Sequence, residues 1–99
     1  MSGGERHTGN LTLSYKSNAD AEYIRLKDVS TGKVVFSDNK VTLATETAII
    51  PVNIGDQLLL ETPPIFIASV YNMIGLDFNA GIFTVLENNA STNIKLLID

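Results

Sequence analysis

Short segments in which apolar and polar residues alternate recur along this 99-residue chain, with turn-forming residues between them. Side chains of an extended strand point to opposite faces in turn, so each such segment is interpreted as a half-buried β-strand. Residues 10–16, 22–28 and 94–98 are three such segments. About eight to ten short strands with turns every eight to twelve residues or so predict an all-β fold, a small antiparallel β-sandwich or jelly roll.

The stretch from Thr47 to Glu61 shows the strongest alternation and is interpreted as a central hairpin. Apolar residues alternate up to a turn at Asn53–Asp56, and alternation resumes in Gln57–Glu61. Pro51 lies inside the first strand and has no N–H to donate to a ladder. This strand is therefore predicted to lie at a sheet edge or to be bulged.

The length of the chain predicts a single domain, because 99 residues bury one core but not two. Residues 1–9 are polar and rich in glycine, which predicts a flexible N-terminal lead-in before a β-sandwich domain over residues 10–99. The lead-in lacks the apolar core of a signal peptide, although secretion followed by processing stays open. No apolar run approaches the roughly 18 residues of a membrane-spanning helix, so membrane insertion is not expected.

Composition argues against several classes of partner and cofactor. The net charge is −4, and the seven lysines and arginines are scattered without a basic run, so nucleic acid is not an expected partner. The chain has no cysteine and one histidine, which excludes disulfides and leaves too few nitrogen and sulfur ligands for a zinc site. No cofactor or metal is predicted.

The sequence shows no arrangement typical of a catalytic site. His7 lies in the predicted lead-in, where nothing would hold a general base against its target. Asp56, Glu61, Asp77 and Glu87 could in principle form a carboxylate pair, but the chain is short for a substrate cleft. Asp56 is interpreted as a turn residue and the other three as solvent-facing strand positions. The protein is therefore predicted not to be an enzyme.

The segment from Ile65 to Leu76 carries no charge and is apolar on both faces when interpreted as a strand. A helix capped by Thr62 is the alternative, but the β-branched and aromatic residues favour a strand. A strand that is apolar on both faces is either covered or meets a partner. The predicted interface consists of Ile65, Phe66, Ile67, Tyr71 and Met73, since aromatic residues and methionine are enriched in interface cores.

Two functional hypotheses follow from these patterns. The first is a non-enzymatic structural or interaction module, a self-associating subunit of a virion component, surface fibre or envelope layer, with an extracellular, virion or cell-surface location. The second is a carbohydrate-binding module, for which Tyr23 is the aromatic residue expected to be exposed and Asp38 with Asn39 forms a candidate ligand loop. Asp38 and Asn39 also offer oxygen ligands for calcium, but without the regular spacing of a calcium loop.

Overall fold

The computed structural model describes residues 6–99, and within them the chain forms nine β-strands and no helix. The strands are β1 (Gly9–Ser17), β2 (Ile24–Asp28), β3 (Val34–Asp38), β4 (Glu46–Val52), β5 (Gln57–Glu61), β6 (Ile67–Ile74), β7 (Leu76–Asn79), β8 (Ile82–Val85) and β9 (Asn89–Leu97). The predicted all-β class and the number of strands are confirmed. The uncharged segment forms strand β6 rather than a helix.

The strands form two sheets that pack into a β-sandwich. One sheet has four strands in the order β4-β1-β9-β6, and the other has five in the order β3-β2-β5-β8-β7. Strands β1 and β9 run parallel, with Leu11 opposite Ala90 and Tyr15 opposite Ile94, whereas the other paired strands are antiparallel. The first and last strands of the chain are therefore neighbours at the centre of one sheet.

The core lies between the two sheets and is built by the alternation seen in the sequence. The fully buried side chains include Leu11 and Leu13 of β1, Ile94 and Leu96 of β9, Ile24 and Leu26 of β2, Leu58 of β5, and Phe83 and Val85 of β8. Successive inward positions on one strand are two residues apart, as the strand period requires. The intervening residues of β1 and β9 form the outer face of the four-stranded sheet.

The predicted hairpin from Thr47 to Glu61 is wrong in one respect, because its two strands belong to different sheets. Strand β4 pairs with β1, and β5 pairs with β2 and β8. The turn between them is as expected: Gly55 has a positive φ of 95°, and the backbone N–H of Asn53 donates to the carboxylate of Asp56 at 2.9 Å. Pro51 lies in β4, an edge strand, which confirms its predicted position.

Two shorter segments also differ from the sequence interpretation. A bulge in β3 at the Leu26/Lys27 position of β2 turns Val34 outward, although alternation with Phe36 predicts it to face inward. The apolar residues Val41 and Leu43, two positions apart, predict a further short strand. The structure has only a single bridge there, between Ala21 and Val41, and Leu43 is exposed. Leu43 and Ala44 lie in a bend, so Leu43 has no strand partner.

The predicted lead-in falls mostly outside the described residues, since residues 1–5 are not among them. Thr8, within the predicted lead-in, is attached to the domain: its N–H donates to the side-chain oxygen of Asn53 at 2.9 Å. Its hydroxyl also donates to the side-chain oxygen of Asn88 at 3.1 Å. The domain boundary predicted after residue 9 is otherwise untested.

Candidate functional site

Within residues 6–99, strand β6 forms one edge of the four-stranded sheet and pairs only with β9, on its inner side. Ala68 and Val70 are half-buried against the core, opposite the buried Leu96 and Ile94. The alternate positions, Ile67 and Tyr71 among them, therefore lie on the outer face of the sheet. An edge strand also directs backbone N–H and C=O groups away from its own sheet, where another strand can pair with them.

A bulge interrupts β6 between Tyr71 and Ile74. Asn72 there has a positive φ of 54°, a conformation that asparagine adopts more readily than most residues. The buried hydroxyl of Thr92 on β9 donates to the carbonyl oxygen of Tyr71 at 3.0 Å. This bond gives the carbonyl at the start of the bulge a hydrogen-bond partner. The extra residue reverses the alternation, so that Ile74 joins the outer face instead of the core.

The exposed apolar residues of this region form what we call the β6 strip. Its members and exposed fractions are Ile65 68%, Ile67 71%, Tyr71 39%, Met73 42% and Ile74 60%. Four of these five residues were predicted from the sequence. Ile74 was missed because simple alternation from Tyr71 would turn it inward, and the bulge that changes this has no clear sequence signal apart from Asn72.

Phe66, the fifth residue of the predicted interface, does not belong to the β6 strip. Its side chain is only 8% exposed and is part of the core cluster. Alternation explains this placement, because Phe66 lies between the outward residues Ile65 and Ile67. Phe66 therefore positions the entry into β6 from inside the domain and is not available at the surface.

The carbohydrate candidate Tyr23 has one ring face already occupied. The guanidinium carbon of Arg25 lies 4.3 Å from the centre of the Tyr23 ring, and Arg25 also forms an ion pair of 2.9 Å with Glu61. The hydroxyl of Tyr23 donates to the carbonyl of Thr62 at 3.2 Å. Tyr23 is thus tied to the end of β5 and is not an open platform for a sugar ring.

The candidate ligand loop at Asp38 is likewise engaged by the protein itself. One carboxylate oxygen accepts a hydrogen bond from the hydroxyl of Tyr15 at 2.7 Å, and the other accepts from the N–H of Lys40 at 3.2 Å. Burial and this contact with the carboxylate raise the pKa of Tyr15 far above its ordinary value. Asn39 is exposed beside a shallow cleft that includes Asp20.

The four carboxylates considered as catalytic candidates have different structural roles. Asp56 accepts the turn hydrogen bond from Asn53, and Glu61 pairs with Arg25. Asp77 and Glu87 are exposed, and His7 is exposed as well. Within residues 6–99, no three His, Cys, Asp or Glu side chains are close enough together to hold a metal ion, and no helix has the length and apolar character needed to cross a membrane.

Comparison with known proteins yields no relative. No family model, no curated protein and no solved structure matches the chain. The β6 strip is consequently judged on its own geometry.

Proposed function

We propose that this protein is a non-enzymatic subunit of a homomeric assembly and that copies associate through the edge of β6. The observation that carries the proposal is an exposed edge strand without a charged residue. The chain is uncharged from Thr62 to Leu76, so two copies of β6 can approach each other without like-charge repulsion, although the whole chain has a net charge of −4. A virion component, a surface fibre or an envelope layer is the class of assembly this suits.

The other sheet edges carry features that oppose pairing with another chain. Strand β4 contains Pro51, which has no N–H to donate. Strand β3 is bulged, and β7 is only four residues long and carries Asp77. Short, bulged, charged or proline-containing edges are the usual protections against edge-to-edge association. Strand β6 is bulged too, but only near its end, and the segment from Ile67 to Tyr71 is regular.

The exposed apolar area of the β6 strip is large enough to contribute to an interface between two copies of the chain. With roughly 200 Å² for a fully exposed side chain of this size, the exposed fractions correspond to about 560 Å² of mainly apolar surface. This lies within the size range of the largest apolar patch on a monomer, which is often functional. If the whole strip is covered, two copies together bury about 1,100 Å², close to the lower bound for a specific interface. Main-chain hydrogen bonds between paired edge strands would add to the apolar contact.

The experiment compares molecular mass in solution for the wild type and two lysine variants. Light scattering coupled to size exclusion at micromolar concentration should give a multiple of the 10.7 kDa chain mass. Ile67→Lys places a charge at the centre of the proposed contact and should shift the protein to a monomer. Ile49→Lys is the matched control, because Ile49 is 68% exposed on β4, the opposite edge of the same sheet, whereas Ile67 is 71% exposed.

Two outcomes would contradict the proposal. One is a wild-type mass of 10.7 kDa over the whole concentration range. The other is an assembly that both lysine variants weaken equally, since the contact would then not be specific to the β6 edge. Circular dichroism of each variant shows whether it remains folded.

A further inference from the structure

The outer face of the four-stranded sheet places two lysines side by side. Lys16 on β1 and Lys95 on β9 are register partners in the parallel pair and both point away from the core. Neighbouring strands are about 4.8 Å apart, and like charges directly opposite each other destabilise a sheet. Within residues 6–99, neither lysine forms an ion pair. A bound anion would relieve this repulsion.

Lys16 borders two hollows, whereas Lys95 borders only the larger one. One hollow, of about 130 Å³, extends from Lys16 past Ser14 and Asn93 to Tyr71. The other, of about 250 Å³, contains both lysines and the exposed Leu43. Each is smaller than the pockets of drug-sized ligands, which begin near roughly 300 Å³.

The side chains of the smaller hollow are suited to a polyhydroxylated ring. Ser14 and Asn93 are register partners on β1 and β9. The hydroxyl of Ser14 already shares a hydrogen bond of 3.1 Å with the hydroxyl of Thr47 and can make one more, and Asn93 presents an amide that can donate and accept hydrogen bonds. The amide of Asn93 makes no hydrogen bond to another side chain or loop in the described part of the chain, so it is free for a ligand. Tyr71, from β6, borders the hollow with a partly exposed ring. An aromatic ring of this kind offers both an apolar surface and a polar hydroxyl.

We infer that this face binds a carboxylated sugar, with the ring in the hollow between Tyr71 and Ser14 and the carboxylate at Lys16 and Lys95. A neutral sugar would leave the lysine pair uncompensated, and a bare inorganic anion would leave Asn93 and Tyr71 without a contact. The site goes beyond the assembly proposed above. Pairing at the β6 edge extends the sheet sideways and leaves Lys16, Lys95 and Asn93 open to solvent. Tyr71 belongs to the β6 strip as well, so a sugar and a second copy of the chain would compete for its ring.

The test titrates the 99-residue protein with trigalacturonate, with maltotriose as a neutral sugar of the same length and with sodium sulfate. Binding is followed by chemical shifts of backbone amides. Trigalacturonate should bind, with perturbations on β1 and β9, and binding should weaken as salt rises. Lys16→Gln and Lys95→Gln should each weaken it about tenfold, the loss of one charge-assisted hydrogen bond. Lys33→Gln, at an exposed lysine outside this sheet, is the matched control and should leave it unchanged.

The inference is overturned if maltotriose binds as well as trigalacturonate, or if the Lys33 variant loses as much affinity as the other two. It is also overturned if sulfate binds as tightly as trigalacturonate and Tyr71→Ala affects neither, because the face would then be a simple anion site. Lys16→Gln and Lys95→Gln lie outside the β6 strip and should not change the mass in solution. Failure of this inference is thus distinguishable from failure of the assembly proposal.

Discussion

The buried phenol of Tyr15 should make the protein lose stability in alkali. Tyr15 is 5% exposed and donates its hydroxyl proton to Asp38 at 2.7 Å. Burial is the main cause of its raised pKa, and the hydrogen bond to the carboxylate adds to it. In the unfolded chain the pKa returns to its ordinary 10.0. The stabilisation from the neutral phenol is fully present below that pH and is lost as the pH rises toward the folded-state pKa.

The size of the effect follows from the protons bound in each state. Above pH 10.0 the unfolded chain releases the Tyr15 proton while the folded protein keeps it, so the free energy of unfolding falls. A difference of one bound proton lowers the free energy of unfolding by about 1.4 kcal/mol per pH unit. Over the first unit above pH 10.0 the decrease is about 1 kcal/mol, because the phenol of the unfolded chain is only partly ionised there. Tyr15→Phe removes this contribution and should cost about 1–2 kcal/mol at neutral pH through the lost hydrogen bond.

The assay is urea denaturation of the wild type and Tyr15→Phe at a series of pH values. The stability difference between them should be constant well below pH 10.0, begin to shrink as the pH approaches 10.0, and lose about 1 kcal/mol over the next unit. Asp38→Asn, which keeps the burial but removes the charge, should let tyrosinate absorbance appear at a lower pH in the folded protein. A stability difference that does not change with pH would refute the reasoning.

Two backbone positions give further predictions. Ala80 and Gly81 form the two-residue loop between β7 and β8, and both have positive φ, at 52° and 81°. Because asparagine adopts this conformation more readily than alanine, Ala80→Asn should raise the free energy of unfolding by about 0.5–1 kcal/mol, measured by urea denaturation. An unchanged or lower value would contradict this. A side chain added at Gly9 would collide with the backbone of Asn88, whose carbonyl accepts the N–H of Asn10 at 2.7 Å. Gly9→Ala should therefore destabilise the start of β1 by about 2 kcal/mol, seen as a lower midpoint of thermal unfolding, and an unchanged midpoint would contradict the close approach.

The fold class could be predicted because strand alternation and turn chemistry are local. The inward residues Leu11, Leu13, Ile94 and Leu96 are all found by counting in twos. The edge position of β4 follows from Pro51, whose missing N–H has the same consequence in any fold. These features depend on a few adjacent residues, and the sequence displays those residues directly.

Strand partners could not be predicted in the same way. A turn such as Asn53–Asp56 joins two strands whether they pair or separate into different sheets, so the predicted hairpin was wrong although both strands were right. The parallel pairing of β1 with β9 joins residues at opposite ends of the chain, and no local pattern encodes it. Bulges have the same effect at smaller scale: one extra residue reversed the faces of Val34 and Ile74.

The sequence predicted the part of the candidate site that depends on adjacent residues and missed the part that depends on strand pairing. Lack of charge between Thr62 and Leu76 is visible in the sequence, and it identified most of the β6 strip. The lysine pair was not found, because Lys16 and Lys95 become neighbours only through the pairing of β1 with β9. Tyr23 was expected to be an open platform, whereas Arg25, two residues away on the same face, covers it.

The parallel arrangement of β1 and β9 also determines how the domain would carry a mechanical load. Gly9 lies at the end of the pair where β9 begins, and β9 ends beside Ser17, so the chain enters and leaves this sheet at opposite ends. A force that pulls the two flanking segments apart acts along both strands and shears their whole ladder of hydrogen bonds at once. Antiparallel terminal strands would instead open one bond at a time. The ladder between β1 and β9 would therefore resist such a force as a unit.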